Sequence, residues 1–142
     1  MKLTNILVPL AGTAIDPDMI EFAIALGRAT KAKITAVHVI EVRWNKPLDA
    51  VLDAELEHGE EILAHAERVA EKHGARLQTE VLQAREAAAA IVDTAVEQGS
   101  ELILLGMPFR KRLGRVYVGK TVETVYVRAP CAVLAYRQEE PK

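Results

Sequence analysis

This 142-residue chain has a single cysteine, Cys131, so it has no disulfide framework and is not a cystine-stapled secreted scaffold. Aromatics make up only 4 % of the residues although half are apolar, so alanine, valine, leucine and isoleucine must build the core. No apolar run is long enough to cross a bilayer and no secretory leader is recognisable. The expectation is a cytoplasmic protein that is not membrane-embedded. A net charge of −2 excludes nucleic-acid binding by bulk electrostatics. Nucleophiles are equally scarce. Ser100 is the only serine and it precedes a strand, the wrong end of a sheet for a nucleophile elbow. Cys131 opens an apolar run and reads as core. His58 and His65 share a helix face but lie two turns apart, about 10 Å, too far for one metal ion. His38 falls in a buried strand, as a hydrogen-bonded core residue. The sequence therefore predicts no catalytic set and no metal.

What is present is an alternation of apolar runs and helical patterns. Leu3–Leu10 reads as a buried strand with Pro9 at its end, followed by a tight turn at Ala11-Gly12-Thr13. Asp16-Pro17 opens a helix to Thr30, with Asp16 as N-cap and Pro17 at the first helical position. Lys33–Val42 is a second strand, and Trp44 to Pro47 is either a lid or a packed turn. Apolar residues recur at helical spacing from Leu48 to His73, with acids opposite and Gly74 as C-cap. Arg76–Gln83 alternates as a third strand, and Arg85–Gln98 is an alanine-faced helix capped by Gly99. Glu101–Gly106 is a fourth strand, Gly119–Arg128 a helix stopped before Pro130, and Cys131–Tyr136 a fifth strand. Strands alternating with helices mean right-handed βαβ units. The fold class predicted is α/β, one doubly wound parallel sheet over residues 1–137 with four helices, followed by a polar tail, 138–142.

The charge is uneven. Residues 107–120 hold five basic side chains and no acid, which leaves 13 basic against 20 acidic residues elsewhere. In doubly wound sheets ligands bind outside the carboxyl ends of the strands, where the strand order reverses. The basic stretch, with Arg110 and Arg112, lies at that edge and runs into Gly119-Lys120-Thr121 at a helix N-terminus. Helix N-terminal amides, an ammonium and a hydroxyl would converge there, a site for a small anion. The same basic stretch could instead be solvated or meet an acidic partner. Gly114 to Thr121 also matches the spacing of a nucleotide hydrolase P-loop, but that loop must directly follow its strand, and bulky Val116-Tyr117-Val118 suits amides curling round phosphate poorly. Arg85, just before a helix, is either a ligand contact or a surface arginine.

Three segments together resemble the universal stress protein family over essentially the whole chain: Ile6-Leu-Val-Pro-Leu-Ala-Gly12-Thr13, Val37-His-Val-Ile40, and Gly106-x-x-Phe109-x9-Gly119-Lys120 leading into Ala129-Pro130-Cys131. The resemblance implies a five-stranded sheet in the order 3-2-1-4-5, the adenine-nucleotide alpha-hydrolase-like arrangement. It also implies a binding and signalling module rather than an enzyme, with AMP, cyclic AMP or ATP as ligand. Adenine would lie near Pro9, Ala11 and Val39 and the phosphates near Gly106, Gly119, Lys120 and Thr121, with Leu10, Gly12, Thr13 and Met107 also among the ligand-binding residues. This chain departs from the family pattern: Phe109 stands where the second glycine belongs, Lys120 at a Ser/Thr position, and Ala11 where nucleotide-binding members carry an Asp. The basic stretch resembles the branch associated with amino-acid permeases and cation antiporters, which implies a transporter as a partner. Cys131–Tyr136 would be an apolar edge strand, implying a homodimer. The alternative reading is a ligand-free dimeric scaffold that docks such a partner.

Overall fold

Leu7 points to one face of the first strand and Ile6 and Val8 to the other, and all three are fully buried. A strand covered on both faces needs apolar side chains at every position, which is why these runs are unbroken rather than alternating. The computed structural model describes residues 2–107, 111–112, 115–116 and 118–140, the two short pairs as backbone only. The elements are β1 (Asn5–Pro9), α1 (Asp16–Gly27), β2 (Lys33–Glu41), α2 (Asp53–Lys72), β3 (Leu77–Ala84), α3 (Ala87–Gln98), β4 (Leu102–Met107), β5 (Lys111–Arg112), β6 (Arg115–Val116), α4 (Lys120–Arg128) and β7 (Ala132–Arg137). Five of the strands form one parallel sheet in the order β3-β2-β1-β4-β7, and β5 pairs with β6 as a small antiparallel ribbon. The expected 3-2-1-4-5 order is therefore present, with β7 as the fifth strand.

Helices α1 and α2 cover one face, where Ile6, Val8, Ile34 and Leu104 meet Met19, Ile20, Leu63 and Ala66. On the other face Leu7, Val37, Ile103 and Leu105 pack with Ile91, Ala95 and Val125 of α3 and α4. The amino-terminal edge of the sheet is fastened by one carboxylate. Glu101 accepts hydrogen bonds from the Thr4 amide at 2.8 Å, the Thr4 hydroxyl at 2.7 Å and the Asn5 amide at 2.6 Å. These donors, the Thr4 hydroxyl foremost, hold its pKa below the ordinary carboxylate value.

Several boundaries differ from the sequence expectations. Helix α2 begins at Asp53, not Leu48, because the backbone before it is held otherwise: Gln83 Nε2 donates to the carbonyls of Leu48 and Ala50, both at 3.0 Å. Asp16 is not the N-cap of α1. Ile15 occupies that position, and the Asp16 carboxylate turns back to the preceding loop. Cys131 lies just before β7 and is partly buried, and burial raises the pKa of its thiol. No described helix is long and apolar enough to cross a membrane.

Candidate functional site

The chain reverses direction across the sheet between β1 and β4. Their pairing covers only Ile6–Leu102 and Leu7–Ile103, whereas β4 and β7 pair from Leu102 through Met107. Beyond Leu7 the two strands part, and a crevice opens between Pro9 and Gly106, at the switch point where doubly wound sheets take ligands. A cavity of about 270 Å³ fills it, lined by Pro9, Ala11, Thr13 and Asp16 on the β1 side and by Gly106, Met107, Gly119, Lys120 and Thr121 on the other. A second cavity of about 310 Å³ adjoins it and shares Pro9, Ala11, Gly106 and Thr121. It is lined by Leu10, Val37, Val39, Ile91 and Leu105, with His38 and Glu41 as its polar groups. The site therefore has one polar arm and one apolar arm meeting at Ala11 and Gly106.

The β1 wall is fixed by its own hydrogen bonds. The Leu10 amide donates to the Val37 carbonyl at 2.8 Å, and the Leu10 carbonyl lies 2.8 Å from Nδ1 of His38. A carbonyl can only accept, so Nδ1 carries the proton. Gly12 has φ of +80°, and a Cβ there would meet Cδ1 of Ile62 at 2.7 Å, so the turn demands glycine on two counts. Its amide donates to Oδ2 of Asp16 at 3.0 Å, and the Thr13 hydroxyl donates to Oδ1 at 3.4 Å. Asp16 is 8 % exposed, and burial raises its pKa against the lowering effect of the Gly12 and Thr13 donors and of His38.

The opposite wall is the start of α4. Gly119 is its N-cap with φ −67° and ψ 152°, and it carries no side chain to satisfy the first helical amides. The first helical acceptor bond, Glu123 N–H to Gly119 carbonyl at 3.0 Å, leaves the amides of Lys120, Thr121 and Val122 ahead of it. Among the described residues, a Cβ at Gly119 would meet nothing within 4 Å. At Gly106, by contrast, a Cβ would meet Cδ1 of Ile15 at 2.8 Å and Sδ of Met19 at 3.0 Å. Gly106 is therefore set by packing beneath the crevice, and Gly119 by no contact with the described residues.

The structure brings together Pro9, Ala11, Thr13, Gly106, Met107, Gly119, Lys120 and Thr121 in the polar arm, and adds Leu10 and Val39 in the apolar arm. Gly12 lies behind the wall against Ile62 and His58. Arg85 is elsewhere. Its Nη1 donates to the carbonyls of Val42, Arg43 and Lys46 at 3.3, 2.6 and 2.8 Å, and its guanidinium lies 4.8 Å from the ring centroid of Trp44. It is a clamp on the β2–α2 loop and lines neither arm of the crevice. Trp44 is 81 % exposed and its ring is the face on which that clamp rests, in a turn where the Lys46 amide donates to the Arg43 carbonyl at 3.0 Å. Arg110 and Phe109 lie outside the described residues, and Arg112 is placed only as a backbone position in β5. The run matching P-loop spacing contains strand β6, so its backbone is extended there rather than curled. Asp16, Met19 and Val122 line the crevice without having been singled out as site residues. For Asp16 the one available signal was its closeness to the turn, which reads equally well as capping.

Comparison with known proteins decides the family. The model of the universal stress protein family matches residues 2–137. The chain belongs to the universal stress protein family. A relative in the family, universal stress protein MJ0531 of Methanocaldococcus jannaschii, is 28 % identical over 140 residues, covering 94 % of this chain and 82 % of the relative. The solved universal stress protein UspA of Lactobacillus plantarum is 30 % identical, covers 96 % of this chain and 99 % of its own, and superposes with a TM-score of 0.79. The universal stress protein of Archaeoglobus fulgidus, solved in complex with dAMP, has 21 % identity, coverage of 95 % and 98 %, and a TM-score of 0.74. Among the described residues, no group of three or more histidine, cysteine, aspartate or glutamate side chains could hold a metal ion.

Proposed function

We propose that this universal stress family member is a cytoplasmic module that binds a nucleoside phosphate in the crevice, with AMP, cyclic AMP and ATP as candidate ligands. The observation that carries the reading is the uncapped start of α4: Lys120, Thr121 and Gly119 border the polar arm at the point where β1 and β4 part. Helix N-terminal amides and the helix dipole stabilise an anion, and an ammonium adds a point charge. The adjoining arm, walled by Leu10, Val37, Val39, Ile91 and Leu105, suits the flat apolar faces of a base. A structural relative in complex with dAMP supports the same class of ligand. The role is binding rather than catalysis: Ser100 lies at the amino-terminal edge of the sheet, and Cys131 lines neither arm.

Calorimetric titration with AMP tests the reading. Wild type binds, and Lys120→Glu loses about ten- to hundredfold in affinity, since a hydrogen bond to a charged group contributes about 1.5–3 kcal/mol. Equal affinities, or no binding of any of the three nucleotides by wild type, would overturn it.

A second property, compatible with the first, is a homodimer through β7. Among the described residues this strand ends the sheet, its own Leu134 is 38 % exposed, and Tyr126 and Val127 of α4 are exposed at 63 % and 79 %. Light scattering at micromolar concentration should return twice the chain mass of 15.6 kDa. A single chain mass would remove the dimer from the proposal.

A further inference from the structure

Within the polar arm, charge is distributed along one direction. Lys120 and the α4 N-terminus stand at one wall and the Asp16 carboxylate at the other, with Thr13 beside it. Phosphate is drawn to the first and repelled by the second. A carboxylate accepts at about four positions. Asp16 uses some of these on the Gly12 amide at 3.0 Å and the long Thr13 hydroxyl contact at 3.4 Å, and it borders the cavity with acceptor capacity to spare. At 8 % exposure, water replaces few of the missing donors. Burial outweighs the lowering effect of the Gly12 and Thr13 donors and of His38, so a further donor to this carboxylate would be favourable. A ligand hydroxyl reaching it would gain a charge-assisted bond in a desolvated site, where such bonds are strongest.

We infer that Asp16 is a specificity-determining residue that accepts a hydrogen bond from a sugar hydroxyl of the bound ligand, so that the crevice selects a phosphate carried on a sugar with free hydroxyls over phosphate alone or a hydroxyl-free analogue. This rests on the nucleoside phosphate reading above and adds which part of the ligand is recognised at the wall opposite Lys120. Ala11, on the same wall, has no side-chain acceptor, and Thr13 already donates its hydroxyl to Asp16. Asp16 is thus the one charged acceptor among the described residues lining that side of the polar arm. The polarity also fixes the ligand's direction: anion toward α4, hydroxyls toward the β1 turn, base into the apolar arm.

The test is a titration of wild type with AMP and with 2′,3′-dideoxyadenosine 5′-monophosphate, repeated on Asp16→Asn. Wild type should bind AMP about tenfold or more tightly than the dideoxy analogue, the scale of one hydrogen bond to a charged group. Asp16→Asn should weaken AMP by a similar factor and leave the analogue unchanged, closing the gap between them. The comparison of the two ligands on wild type needs no variant, so a folding defect in Asp16→Asn does not blunt it. Equal binding of both ligands by wild type, or a gap that persists in a folded Asp16→Asn, would overturn the role of Asp16 and leave nucleotide binding standing. Failure of wild type to bind either ligand would overturn both readings together.

Discussion

Two carboxylates sit at opposite edges of the same sheet, each bound to a backbone amide and a threonine hydroxyl, and their pKa values move in opposite directions. Glu101, at the amino-terminal edge, is held by Thr4 and Asn5 at 2.6–2.8 Å and is lowered. Asp16, at the carboxyl edge, is held by Gly12 and Thr13 at 3.0–3.4 Å, is more deeply buried and is raised. The first is an anion the protein satisfies, and it ties β1 to β4 where those strands pair. The second is an anion whose burial outweighs its hydrogen bonds, and it lines a cavity where they part. Stability is invested at one edge, and unspent binding capacity is concentrated at the other.

The two crevice glycines divide in the same way, and substituting them should give the largest effects. Gly106→Ala drives a methyl into Ile15 and Met19 and should destabilise the fold by about 1–3 kcal/mol, the usual range for overpacking. Gly119→Ala meets no described residue within 4 Å and should leave unfolding in denaturant nearly unchanged while weakening AMP, because the added methyl crowds the approach to the α4 amides. If Gly119→Ala unfolded the protein and left AMP binding intact, the division would be inverted.

The pH dependence sharpens the contrast between the carboxylates. Glu101 has a folded pKa below its unfolded one, so its contribution is full above the ordinary glutamate value and is lost as pH falls through the folded value. Glu101→Gln should therefore flatten the acid limb of a stability profile. Asp16 has the opposite sign. Its contribution is full below the ordinary aspartate value, about pH 3.9, and is lost as pH rises through the raised folded value. Asp16→Asn should remove that loss, so stability measured relative to wild type should rise from acid toward neutral pH. Identical profiles for the two variants would contradict the assignment. The smallest effect is expected at Arg85. Arg85→Ala frees the β2–α2 loop and costs some stability, and AMP affinity should not change, since Arg85 lines neither arm.

The order of elements was legible because each strand announces itself as a continuous apolar run and each helix as a spaced one. The strand order came from the family resemblance, carried by the segments around Gly12, Val39 and Gly119. What misled the reading was tertiary contact overriding local pattern. Leu48, Val51 and Leu52 are spaced as if helical, yet Gln83 of the neighbouring strand β3 takes the carbonyls of Leu48 and Ala50. Arg85 reads in sequence as either a ligand contact or a surface arginine, yet three carbonyls of the β2–α2 region use one of its nitrogens. Asp16 before Pro17 has the local signature of a cap, and nothing in sequence spacing says that the carboxylate will turn back toward Gly12. The Gly119-Lys120-Thr121 wall was legible because its chemistry is local: a glycine, a cation and a helix start in three consecutive residues.

The most direct test of the crevice is an amide chemical-shift titration of the isotopically labelled protein with AMP. The amides of Thr13, Asp16, Gly106, Lys120 and Thr121 should shift together and saturate on one curve, while those of Thr4, Asn5 and Glu101 at the opposite edge stay in place. Shifts centred on Trp44 and Arg85, or no shifts at the start of α4 at saturating AMP, would contradict the account.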